Sequence, residues 1–173
     1  GLGYIPEDRL HVGSIPSFAV WENLILKDHS LPPYARSIFL QNRTIRSQSD
    51  SLVQSYGVKT PNLDTPTGRL SGGNIQRLIL AREISRNPVL LVAAYPTRGL
   101  DIGATEYVHT KLLEARDNGM GVLLISEDLE EILNLSDRVA VVYEGQIMKV
   151  LSAEEADERA LGLLMAGIGE CVS

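Results

Sequence analysis

The spacing of apolar and polar positions changes character at Pro88. Before it, Gly3-Tyr4-Ile5-Pro6 reads as a short strand ended by proline, followed by a turn and Gly13. Residues 17–26 form a short amphipathic stretch carrying Trp21, and Leu31-Pro32-Pro33 breaks the chain. From Tyr34 to about Tyr56, apolar residues at Ile38, Leu40, Ile45, Leu52 and Val53 predict one long, mostly polar helix. Residues 62–68, with Pro66 and little apolar content, predict a loop. Ile75, Leu78, Ile79, Ala81 and Ile84 then recur at spacings of three and four, which predicts a helix capped by Ser71 and stopped by Asn87-Pro88.

Beyond Pro88 the apolar residues are contiguous. Val89-Leu90-Leu91-Val92-Ala93 has the pattern of a parallel strand buried on both faces. A helix follows over about 103–118, with Val108, Leu112 and Ala115 inward and Gly119 as its stop. Residues 121–126 predict a second buried strand and residues 129–135 a short helix. Residues 139–143 and 146–151, joined by Glu144-Gly145, read as a hairpin, with a helix after it. Strand, helix, strand, helix, hairpin, helix is an α/β layout.

Composition narrows the class. With 173 residues, 44% hydrophobic and 22% charged, the chain suits one domain or two small lobes and excludes disorder. Folding at this size buries roughly 70% of the extended surface, enough for a core without disulfides or structural metal. The single cysteine, Cys171, allows no intramolecular disulfide and gives no sign of an oxidising compartment, so a cytosolic face is expected. No apolar run approaches the ~20 residues of a membrane span. The chain begins with Gly1 and shows no signal region, so it is expected to be a fragment. Residues 1–87 carry 10 Lys/Arg against 7 Asp/Glu, a net of +3, while 88–173 carry 6 against 15, a net of −9. That asymmetry fits solvated helix faces or an anion-facing lobe beside an acidic one. No basic run interleaves with aromatics, so nucleic acid is not an expected partner. His11, His29 and His109 lack ligand spacing, so no metal site is expected among them.

In open parallel sheets ligands sit beyond the carboxyl ends of the strands. Those positions here are Glu7, Ala94-Tyr95 and Glu127. Between them, Leu70-Ser71-Gly72-Gly73-Asn74-Ile75-Gln76 opens a helix. Two glycines there let backbone N–H groups approach a phosphate, with the Ser71 hydroxyl as a further donor and the helix dipole favouring the anion. Taken alone, the same string is also a flexible helix cap. Glu127, Asp128, Glu130 and Glu131 read as a helix start that favours acids, or as a group of catalytic carboxylates. Trp21 reads as packing, or as an exposed anchor.

In context the string says more. Together with Pro96-Thr97-Arg98-Gly99-Leu100-Asp101 after the first apolar strand, and the later strand ending in Ile125-Ser126, it resembles the ATP-binding cassette of ABC transporters over nearly the whole chain. Residues 70–76 match the family's signature motif and residues 99–101 its D-loop. Tyr4-Ile5-Pro6-Glu7-Asp8-Arg9, Leu-Ser-Gly-Gly-Asn and Pro-Thr-Arg-Gly-Leu-Asp-Ile-Gly-Ala resemble the second cassette of the double-cassette ATPases of bacterial sugar and nucleoside importers. The closing Leu163-Leu164-Met165-Ala166-Gly167 resembles the nucleoside-importer branch. The resemblance implies a partial P-loop NTPase core over residues 1–7 and 87–173 with an inserted helical lobe over 8–86. It also implies ATP and Mg²⁺ in the assembled protein, a partner cassette paired head to tail, and transmembrane permease subunits. An extracytoplasmic substrate-binding protein would act indirectly, and the location would be peripheral, on the cytoplasmic face of the membrane.

The departures from the family pattern are as specific as the matches. No Gly-x-x-x-x-Gly-Lys-Ser/Thr occurs, so this chain lacks the phosphate loop (Walker A). Where the family has Asp-Glu (Walker B and catalytic carboxylate), this sequence has Ala94 and Tyr95. Alanine offers no oxygen to Mg²⁺, and a phenol of pKa ~10 is no base at neutral pH. The family's switch histidine falls on Glu127, whose charge opposes a γ-phosphate, and its Gln falls on Glu7. No catalytic residue is intact. The resemblance assigns nucleotide contacts to Ser71, Gly72, Gly73, Asn74, Gln76, Asp101 and Glu7, with the signature motif completing the partner's site. The alternative is a pseudo-ATPase that scaffolds or regulates by dimerisation.

Overall fold

The computed structural model describes residues 1–169. Cys171 lies outside the described residues. The chain forms two compact units, Gly1–Leu123 and Leu124–Ser173.

The first unit runs β1 (Leu2–Ile5), α1 (Val20–Leu24), β2 (Ala35–Arg36), β3 (Phe39–Leu40), α2 (Asn42–Ser55), a 3₁₀ turn (Thr67–Arg69), α3 (Gly72–Ile84), β4 (Leu90–Ala94), α4 (Ile102–Asp117) and the start of β5 (Gly121–Ile125). β1 and β4 pair in parallel, Leu2 beside Leu90 and Ile5 beside Ala93, and the sheet order is β1-β4-β5. Parallel neighbours need a long crossover, which the helical segment between them supplies. Ile5, Leu91 and Ala93 are fully buried. Leu90 is 39% and Leu123 51% exposed, which corrects the expectation of strands buried on both faces. Buried and open positions alternate along β1 and β4, so one sheet face is covered within the described residues and the other is not.

The long helix expected from Tyr34 is also corrected. Residues 35–40 form a hairpin that pairs Ala35 with Leu40, turns at Ser37 (φ 58°), and is closed by the Gln41 N–H donating to the Tyr34 carbonyl at 2.8 Å. Three consecutive apolar residues, Ile38-Phe39-Leu40, would be spread around a helix rather than aligned on one stripe. Ile38 is 87% exposed, whereas from Ile45 onward a buried stripe holds α2 in place.

Val20 and Leu24 of α1, Val58, and Leu78 and Ala81 of α3 form the core of the helical segment, with Leu52, Val53, Tyr56, Leu63 and Leu70 packed around it. Trp21 is half-buried and engaged through its indole. Its indole N–H donates to Asp64 at 3.2 Å, and the Arg46 guanidinium, paired with Asp64 at 2.6 Å, lies 5.7 Å from its ring centre. Asn23, fully buried, is the hub of the loops around α1. Its oxygen accepts from Ile15 N–H at 2.8 Å, and its amide donates to Ile15 O at 3.0 Å and Thr67 Oγ1 at 2.9 Å. Asn23→Ala strands several buried groups at once and is expected to cost about 2–3 kcal/mol of unfolding free energy, measured by urea titration. A change within experimental error would refute the hub.

The second unit holds α5 (Leu129–Leu135), the antiparallel hairpin β6 (Arg138–Tyr143) and β7 (Gln146–Ser152), and α6 (Glu158–Met165). Glu144 (φ 48°) and Gly145 (φ 78°) form the left-handed pair that a two-residue hairpin turn requires. Val141 faces Lys149 and Val142 faces Ile147, so Met148 is the extra residue of a bulge. That slip lets both Met148 and Leu151 point inward despite their odd spacing. They pack with Val139, Val141, Leu161 and Leu164. Among the described residues no helix is long and apolar enough to cross a membrane.

Candidate functional site

Glu7 and Tyr95 follow β1 and β4 where the parallel register ends with Ile5 beside Ala93, at the carboxyl ends of the strands. Tyr95 sits in the left-handed region (φ 47°), rare for a residue with a side chain, and its carbonyl accepts from Arg98 N–H at 3.2 Å. This turn brings the Arg98 guanidinium 5.9 Å from the Tyr95 ring centre and into an ion pair with Glu7. The Arg98 carbonyl in turn accepts a hydrogen bond from the guanidinium of Arg9.

The start of α3 lies next to this chain of contacts. A Cβ at Gly72 would stand 3.0 Å from Arg9 Nη1, and one at Gly73 would stand 3.3 Å from the Ala104 Cβ. The two glycines therefore let the first turn of α3 pass under Arg9 and against the first turn of α4. Ser71 occupies the N-cap position without capping, which corrects that expectation. Its oxygen accepts from the Asn74 amide at 2.8 Å, and Asn74 Oδ1 accepts from Lys59 N–H at 2.8 Å. The Ser71 O–H is thus left to donate outward, and Ser71 and Gly72 are exposed. First-turn amides of a helix have no upstream carbonyl to reach.

Gln76 is placed differently from its neighbours. It is buried and donates to the Pro96 carbonyl at 2.7 Å, joining α3 to the segment after β4. Asp101 caps α4, accepting from Ala104 N–H at 2.9 Å. Glu127 belongs to the second unit, exposed, directly before Asp128. Asp128 caps α5 through the N–H groups of Glu130 at 3.0 Å and Glu131 at 3.2 Å, so this acidic group is a helix start.

The structure thus gathers two sets in the first unit: Glu7, Ala94 and Tyr95 at the strand ends, and Ser71, Gly72, Gly73 and Asn74 at the start of α3. The residues joining them, Arg9 and Arg98, had no role assigned from sequence, although opposite charges following two parallel strands were a visible signal. Burial lowers the pKa of Arg9 from its ordinary value, yet a guanidinium remains a cation at neutral pH.

Chemically the two sets differ. Ala94 presents a methyl group, and the Glu7 carboxylate is engaged by Arg98, so the strand ends do not fit a magnesium ion. No group of three or more His, Cys, Asp or Glu among the described residues is arranged to hold a metal. The start of α3, exposed and fronted by glycine amides and a hydroxyl, fits the terminal oxygens of a phosphate.

No family model matches the chain. It is 49% identical over 167 residues to the guanosine import ATP-binding protein NupO of Bacillus subtilis, covering 96% of this chain and 33% of that protein. To the nucleoside import ATP-binding protein NupA of Lactococcus lactis it is 45% identical over 96% of its length and 33% of the relative's. To the glucose import ATP-binding protein TsgD13 of Haloferax volcanii it is 43% identical over its full length and 32% of the relative's. The chain thus spans about a third of the length of the curated relatives it matches. In fold it is similar to a dimeric ATP-binding cassette solved in a post-hydrolysis state with ADP and Pi. The TM-score is 0.68 at 20% identity, over 88% of this chain and 62% of that one. The parallel sheet, the glycine-fronted helix and these relatives agree: the chain belongs to the ATP-binding cassette (ABC) family and matches the later part of the cassette of proteins named as sugar and nucleoside import ATP-binding proteins.

Proposed function

We propose that this chain is part of the ATP-binding subunit of an importer that couples ATP binding and hydrolysis to uptake of a sugar or nucleoside. Residues 8–86 form its signature-bearing helical lobe, and residues 1–7 and 87–173 its part of the nucleotide-binding core. The observation that carries this reading is the exposed first turn of α3, where Gly72 and Gly73 clear the backbone for a phosphate. In a head-to-tail pair of cassettes that turn completes the partner's site, with Ser71 and the glycine amides on the γ-phosphate of the partner's ATP. The chain's own site binds nucleotide without hydrolysing it, because Ala94 supplies no metal ligand and Tyr95 no base. Permease subunits receive the resulting movement at the cytoplasmic face of the membrane, and an extracytoplasmic binding protein delivers the substrate.

The non-hydrolytic site has a direct test. General-base terms are worth ~10²-fold to 10⁴-fold only in an assembled site. Tyr95→Glu in the full-length protein restores one group beside an apolar Ala94, so turnover with the permease present is expected to stay within a few-fold of wild type. A rise of about 10²-fold would mean that this site was one residue from active.

A further inference from the structure

We propose that Arg9 is a positioning residue that locks the segment after β4 to the first turn of α3, so that the strand-end site and the signature glycines move as one body. The contacts form an unbroken series. Glu7 pairs with the Arg98 guanidinium, the Arg98 carbonyl accepts from Arg9, and Arg9 Nη1 lies over Gly72. Each link joins a different stretch of chain, residues 7–9, 98 and 72. Arg9 is half-buried at the junction.

The geometry explains why arginine suits the position. One face of a guanidinium can donate to a backbone carbonyl while another amino group of the same rigid plane covers a second element. A lysine ammonium, a single point on a flexible stem, cannot hold both places at once. One turn further along α3, Gln76 donates to Pro96 O at 2.7 Å, and Gly73 abuts Ala104. The segment from Tyr95 to Asp101 is thereby tied near its start, by Gln76 at Pro96, and at its middle, by Arg9 at Arg98. A shift at Tyr95 or Glu7, where the chain's own nucleotide would sit, moves Arg98 and is passed through Arg9 to Gly72. The functional meaning of this bridge rests on the reading of Gly72 and Gly73 as donors to the partner's ATP, whereas the bridge itself does not.

The experiment separates the two. In the full-length protein, hydrogen exchange of the hydrogen-bonded amides of Asn74, Ile75, Arg98 and Leu100 is followed for wild type, Arg9→Ala, Arg9→Lys and Glu7→Gln, without nucleotide. Exchange in both segments is expected to rise about tenfold in Arg9→Ala, with Lys giving little rescue, because loss of the bridge opens both segments locally. Thermal unfolding, which a merely structural loss would move, stays near wild type. Unchanged exchange in Arg9→Ala and Glu7→Gln overturns the bridge whatever the protein's activity. Turnover in the presence of the permease is then compared. Arg9→Ala is expected to lower kcat by about 10-fold to 10²-fold, the range that misplaced groups cost, with KM for ATP little changed. Glu7→Gln is expected to lower kcat in the wild-type background and to have no further effect once Arg9 is alanine. Effects that simply multiply would overturn the coupling. Faster exchange with unchanged kcat would keep the bridge and remove the donor role proposed for Gly72 and Gly73.

Discussion

Replacing Gly72 with aspartate is expected to abolish ATP turnover in the full-length protein while leaving its fold intact. A Cβ at this position meets only the end of the Arg9 side chain, at 3.0 Å, a contact that Arg9 relieves with a shift of a few tenths of an ångström. The new carboxylate then lies beside Arg9, at the positive end of α3, and pairs there. Three favourable electrostatic features, the helix dipole, the first-turn amides and the guanidinium, are thereby spent on an internal anion. A γ-phosphate from the partner cassette would meet a negative charge instead of donors. Loss of one preorganised donor costs ~10²-fold to 10³-fold in rate, and a like charge in a water-poor cleft costs more. Gly72→Ala is the control. It adds the same Cβ without the charge, so a modest loss is expected. Turnover and transport are measured with the permease, alongside circular dichroism to show that the variant is folded. Gly72→Asp with wild-type turnover would sink the shared site and favour the scaffold reading.

Glu83→Ala is expected to be the most destabilising single change in the first unit. Glu83 is fully buried in α3 and accepts from Lys27 Nζ at 2.6 Å, Arg82 Nε at 2.8 Å and Tyr4 N–H at 3.2 Å. Arg82, itself buried, also donates to the Gly13 carbonyl at 2.8 Å. One carboxylate therefore ties α3 to β1 and to Lys27 just beyond α1, while its neighbour reaches the turn at Gly13. Truncation leaves Arg82 as a buried charge without its counter-ion, a loss of about 3–5 kcal/mol.

The same group makes stability depend on pH. Burial alone would raise the Glu83 pKa, but the bonds from Lys27, Arg82 and Tyr4 outweigh it and hold the carboxyl below its ordinary range. The unfolded state therefore takes up the proton first as pH falls. The contribution of Glu83 is complete above the unfolded value of ~4.3 and is lost as pH drops through the lower folded value. Urea midpoints measured from neutral pH into this acid window are expected to fall more steeply for wild type than for Glu83→Gln. Equal slopes would show that Glu83 carries no such linkage.

How much of this was legible in the sequence depends on how far apart the interacting residues lie. α3 and α4 declared themselves by apolar residues three and four apart, and the hairpin turn by Glu144-Gly145. All are patterns complete within about ten residues. The stretch at 34–41 misled for the same reason. Ile38 and Leu40 could be counted into the helix that follows, and only the pairing of Ala35 with Leu40 shows them to be a hairpin. Among the candidate site residues, the glycines at 72 and 73 and the altered positions at 94 and 95 were readable as a motif and its departures. The inward turn of Gln76 and the engagement of Ser71 by Asn74 were not, because a side chain's partner is chosen by packing.

By itself, then, the sequence determined the order of elements apart from the hairpin at 35–40, the α/β class and the positions of the chemically telling residues, since periodicity and motif spacing are local. Only the tertiary structure decided that Arg98 reaches both Glu7 and the Tyr95 ring, and that Arg9 lies over Gly72. Residues 7, 9, 72 and 98 meet because a long crossover returns β4 to the side of β1 in one register. A register shifted by a single residue would have left every local pattern unchanged and separated them all.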